Sequence, residues 1–190
     1  MRLIRPSSSP STEPRVKHPG GEGGREGRPR AYEAGVRLLA PRALTVHEIR
    51  TRLARRGYSE QETASAIEEL TARGFLDDRA LAYNVATALA ERRLYGRSRV
   101  AADLARRGVA GDAIGEALER AFAGLDEDAM ARKAASRRAG AVPVDTRARE
   151  RMARSLLRRG FSRGAVARVL GGEGQESEDF RHEDDFERDP

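Results

Sequence analysis

The side chains whose type and spacing could do chemistry are arginines that come in pairs. Arg55-Arg56, Arg106-Arg107 and Arg158-Arg159 sit in three matching segments: Leu53-Ala54-Arg55-Arg56-Gly57-Tyr58, Leu104-Ala105-Arg106-Arg107-Gly108-Val109 and Leu156-Leu157-Arg158-Arg159-Gly160-Phe161. Arg50, Arg52, Arg151 and Arg154 stand just upstream of the first and third pairs. A guanidinium is permanently charged and forks onto carboxylate or phosphate. Repeated at a fixed interval, such groups suit a partner that is anionic and itself periodic, such as a nucleic-acid backbone or an acidic filament groove. All ten are therefore candidate partner-binding residues.

This chemistry is recognition; no set of bond-making residues accompanies it. His18 and His182 lie near the ends, His47 falls in the first turn of a helical pattern, and the chain has no cysteine. Neither a metal-ligand set nor a thiolate nucleophile is expected. Gly20-Gly21-Glu22-Gly23-Gly24 lacks the Lys-Ser/Thr that completes a phosphate-binding loop. The serines and histidines form no Ser-His-Asp arrangement. Asp77-Asp78 resembles a carboxylate pair, but it directly precedes a helical pattern, where acidic caps are favoured by the helix dipole. No catalytic residue, cofactor site or metal site is expected.

The elements that must carry the arginines follow from the same repeats. The three glycines are 51 and 52 residues apart, and the match extends outward at helical spacing. Ile49, Val100 and Met152 stand eight before, Thr63, Ile114 and Val166 six after, and Ile67, Leu118 and Leu170 ten after. Such a period marks an array of one supersecondary unit. Each Arg-Arg-Gly reads as a helix C-terminus. The glycine takes the left-handed C′ position, and Leu53 with Tyr58, Leu104 with Val109 and Leu156 with Phe161 form the C3–C″ contact of a Schellman motif. Arginines on a last turn also favour the dipole, by about 0.3–1 kcal/mol when exposed, so the pairs have a structural reading beside the functional one.

Thr45-Val46-His47-Glu48 and Ser59-Glu60-Gln61-Glu62 read as capping boxes that open helices. Apolar residues recur with a 3.6 period between these signals and nowhere alternate as in a strand. The expected fold is all-α, with three three-helix units at 31–75, 76–124 and 125–170. The middle helix of each unit is the basic one. The helix over about 59–73 carries Glu60, Glu62, Glu68 and Glu69. That acidity disfavours a helix-turn-helix reader, whose second helix must approach phosphates.

The chain has 190 residues, with 36 Lys+Arg against 30 Asp+Glu, and only Lys17 and Lys133 are lysines. Residues 1–30, rich in Ser, Pro and Gly, hold 7 basic and 3 acidic residues, whereas 171–190 hold 2 and 9. Neither segment has enough apolar residues to offset the entropy of ordering, so a disordered basic arm and a disordered acidic tail are expected. The lack of cysteine, of a secretory core after Met1 and of any run near 18 apolar residues points to a cytoplasmic protein without a membrane span.

These segments, with Gly74-Phe75-Leu76-Asp77-Asp78-Arg79-Ala80-Leu81-Ala82 and Gly96, resemble the RecX regulatory proteins, bacterial modulators of the RecA recombinase. The resemblance covers roughly residues 31–170; Leu81 stands where that family more often has Phe. It implies three tandem three-helix repeats in an elongated, curved body. It further implies a non-enzymatic monomer that binds the groove of the RecA filament and restrains filament growth, ATP hydrolysis and strand exchange. Two alternatives stand beside it: binding of single- or double-stranded DNA backbone through the arginine-rich edge, and a scaffold array without a nucleic-acid role.

Overall fold

The computed structural model describes residues 29–139 and 143–171. The expected arm, apart from Pro29 and Arg30, and the expected tail, apart from Gly171, lie outside the described residues. Nine helices and no strand occur among those described. They are α1 (Ala31–Leu39), α2 (Val46–Arg55), α3 (Glu60–Ala72), α4 (Asp78–Arg93), α5 (Arg97–Arg106), α6 (Gly111–Ala121), α7 (Glu127–Ala139), α8 (Thr146–Arg158) and α9 (Arg163–Gly171). They pack in consecutive threes, giving the expected all-α array of three-helix repeats.

Local signals set the helix ends. Thr45 and Ser59 accept from the amides of Glu48 and Glu62, and those glutamates accept in return from the cap amides, so both capping boxes form. Asp77 and Asp145 cap α4 and α8 by accepting from Ala80 N and Ala148 N. At the C-termini Gly57, Gly108 and Gly160 adopt φ of 81°, 77° and 87°. The amides of Tyr58, Val109 and Phe161 donate to the carbonyls of Leu53, Leu104 and Leu156, as a Schellman motif requires. The end of α4 departs from this pattern in its own way: it stops at Leu94 with φ 51°, a left-handed conformation that costs a non-glycine residue about 1–2 kcal/mol. Its side chain is only 3% exposed, so burial offsets the strain.

The buried apolar residues form two cores. One belongs to the first repeat and includes Ile49, Leu53, Tyr58, Ile67 and Leu70. The other runs through the second and third repeats and includes Val100, Leu104, Phe122, Met152, Leu156 and Phe161. Among the described residues no helix is long and apolar enough to cross a membrane.

Candidate functional site

The three basic middle helices touch end to end. The hydroxyl of Thr45, the N-cap of α2, donates to the carbonyl of Arg107, the C-cap of α5, at 2.7 Å. One repeat on, the amide of Gly96, the N-cap of α5, donates to the carbonyl of Arg159, the C-cap of α8, at 2.8 Å, and the Ser98 hydroxyl donates to Gly160 O at 3.1 Å. Unsatisfied carbonyls at one helix end thus meet donors at the next, so both ends are paired without extra structure. Approach is close enough to require glycine: a Cβ on Gly108 would overlap His47, one on Gly160 would overlap Arg99, and one on Gly96 would overlap the Gly160 carbonyl.

These joints divide the arginine pairs. The second arginine reaches back into the preceding repeat. Arg107 donates to Glu48 at 3.0 and 3.3 Å and to Ala43 O at 3.1 Å. Arg159 donates to Arg93 O at 2.9 Å and lies 5.9 Å from the Tyr95 ring, which Arg99 approaches at 5.7 Å. Among the described residues no repeat precedes Arg56, which is exposed, in a cleft with Pro29, Ala34, Arg37 and Tyr58. Partial burial pushes the Glu48 carboxyl up, but hydrogen bonds from Arg107 and the Thr45 amide, with the charges of Arg107 and Arg42, hold it below its ordinary value. Asp78 joins the same seam by accepting from Val46 N at 3.0 Å, a role beyond the capping read from the sequence.

The first arginine of each pair, Arg55, Arg106 and Arg158, is exposed, so the array presents one outward guanidinium at each middle-helix end. Arg106 is held by Asp103 of its own helix. Arg50 is exposed, while Arg52 is half-buried and donates to its own helix carbonyl at Glu48, 3.2 Å away. Arg151 and Arg154 are exposed on α8, Arg154 with Nη1 3.8 Å from Glu150.

Charge is distributed less evenly than the repeated pairs suggest. Residues 31–75 hold 7 basic against 6 acidic side chains, 76–124 hold 8 against 7, and 125–170 hold 12 against 5. In the second repeat the excess arginines are matched: Arg79 pairs with Asp112 and Glu116, Arg97 with Glu119, and Arg99 with Asp103. Counting charge by repeat, not by helix, would have shown this in the sequence.

Comparison with known proteins matches residues 31–70 to the first three-helix domain of RecX, 77–118 to the second and 126–170 to the third. The chain is 37% identical over 147 residues to the regulatory protein RecX of Halorhodospira halophila, covering 77% of this chain and 89% of that one. It is 34% identical over 135 residues to the regulatory protein RecX of Chromobacterium violaceum, covering 71% and 85%. The crystal structure of RecX from Lactobacillus salivarius shares the fold, with a TM-score of 0.60 at 16% identity over 74% of this chain and 92% of that one. With three domains matched in order on the three repeats that the joints link, the chain belongs to the RecX family.

Proposed function

We propose that this protein is a non-enzymatic cytoplasmic regulator that docks as a monomer on the filament of a RecA recombinase and restrains its growth, ATP hydrolysis and strand exchange. The observation that carries this reading is the outward first arginine of each pair. Arg55, Arg106 and Arg158 recur once per repeat on helices linked end to end, which suits a periodic acidic partner. The names of the relatives, regulatory proteins all, support the class. Arg50 on α2 and Arg151 and Arg154 on α8 are further exposed arginines of the same helices. Arg52, Arg107 and Arg159 act behind them, by holding the helices that carry them.

The test is the single-stranded-DNA-dependent ATPase of the cognate recombinase, titrated with this protein below one per filament subunit. Inhibition is expected at substoichiometric amounts. Charge reversal of Arg151, Arg154 and Arg158 together is expected to abolish it with helicity intact; unchanged inhibition would remove the third repeat from the interface. Arg147, Arg151 and Arg158 of α8, exposed and without an acidic partner among the described residues, favour a second reading, direct contact with DNA backbone. In that case the protein alone binds DNA with a salt slope of about −0.9 per phosphate contacted, and the recombinase is unaffected.

A further inference from the structure

The arginines of α8 form a ridge. Arg147, Arg151, Arg154 and Arg158 are spaced by four, three and four residues, which places them on one face, and all four are exposed. At 1.5 Å per residue the ridge is about 16 Å long. The carboxylates of the same repeat, Glu150 apart, are engaged elsewhere. Glu127 accepts from the amide and hydroxyl of Ser162, Asp128 from Arg168, and Asp145 from the α8 amide of Ala148. Asp126 accepts from Asp128 N, with Arg132 3.8 Å away, and Glu150 lies 3.8 Å from Arg154. Arg147, Arg151 and Arg158 therefore have no acidic partner among the described residues.

The chain itself holds a matching set of charges. Residues 125–171 carry 12 basic and 5 acidic side chains, and residues 172–190 carry 9 acidic and 2 basic, so net +7 precedes net −7. The acidic segment follows α9, which packs on α8: Arg149 of α8 donates to the carbonyl of Leu170 in the last turn of α9. Arg149 stands two residues, about 200° of helix, from both Arg147 and Arg151, so this contact is level with the ridge but on the opposite side of α8. Nineteen residues reach at most about 65 Å at ~3.3–3.6 Å each, several times the length of the ridge.

We propose that residues 172–190 occupy the α8 arginine ridge in the free protein, as an internal polyanion that any anionic partner must displace. The segment is tethered within reach of its site, so its local concentration is high even though each exposed ion pair is weak. The other middle helices offer no equal ridge: α5 pairs its arginines with Asp103 and Glu119, and α2 lies two joints away from the tether.

The chain lacks cysteine, so Ser177→Cys carries a nitroxide label at a single place in the acidic segment. At about 10 mM salt, where the Debye length is about 30 Å, the label is expected to broaden the amide signals of α8 strongly and leave those of α2 unchanged. At about 1 M salt, with a Debye length near 3 Å, the α8 signals are expected to recover. Adding Arg147→Glu, Arg151→Glu and Arg158→Glu should restore them at low salt, with amide shifts elsewhere showing an intact fold. Unbroadened α8 signals at low salt overturn the proposal, and so does broadening that survives the three reversals. Broadening seen only when labelled chains are mixed with unlabelled isotope-enriched chains at high concentration assigns the ridge to a second copy, and overturns it too. No recombinase or DNA enters the measurement, so its outcome is independent of the filament reading.

Discussion

Neighbouring residues on a helix point about 100° apart, and that single step separates the two arginines of each pair. Arg107 turns into the seam against Glu48, whereas Arg106 stays outside with Asp103. The pairs themselves were legible in the sequence; which member faces a partner was not, because the choice depends on a residue 59 positions away. Glu48 is the centre of this arrangement, capping α2 and receiving Arg107 at once. Gln preserves the capping pattern, so Glu48→Gln isolates the charge. We expect a loss of about 1 kcal/mol at pH 7 by urea unfolding. Glu48 is held below its ordinary value of 4.5 in the fold, so its contribution is complete above that value and is lost as pH falls through the lower one. Stability of the natural chain should accordingly fall more steeply than that of the variant below about pH 4.5; parallel curves would remove Glu48 from the linkage.

At the scale of elements, helix ends were the most legible feature, because a cap is written in four to six consecutive residues. Both capping boxes and the Schellman motifs of the three Arg-Arg-Gly segments follow from local sequence alone. Leu94 escaped the same reasoning: nothing local marks a leucine for φ 51°, and only its place in the core explains it. The docking duty of the glycines was equally hidden, since the colliding residue comes from another repeat. This separates two kinds of glycine. Gly74 and Gly124, with φ of 74° and 72°, have open space where a Cβ would stand. Alanine there should cost only the left-handed strain, about 1–2 kcal/mol. Gly108→Ala and Gly160→Ala carry that strain plus an overlap with His47 or Arg99, and should cost about 1–3 kcal/mol more. Equal losses at all four positions, by thermal or urea unfolding, would contradict the close packing of the joints.

Across the whole molecule, the equal spacing of the repeats conceals two inequalities. The excess charge lies almost wholly in the third repeat, and the core divides after the first. The second inequality was not readable, because all three repeats show the same apolar period while only the packed structure decides which cores merge. It has a measurable result. Leu53→Ala and Leu156→Ala each empty a site at most 1% exposed and should cost about 2–5 kcal/mol. Hydrogen exchange should quicken in α1–α3 alone for the first substitution and through α4–α9 for the second; uniform quickening in either would mean one cooperative core. The end-to-end joints also set a timetable for biosynthesis. The Thr45–Arg107 and Ser98–Gly160 bonds each span 62 residues, an interval that translation covers in about 3–12 s at 5–20 residues per second. The first and second repeats thus each emerge with one vacant dock and wait for the repeat made next, so the growing chain closes its two joints one at a time, in the order the repeats are synthesised.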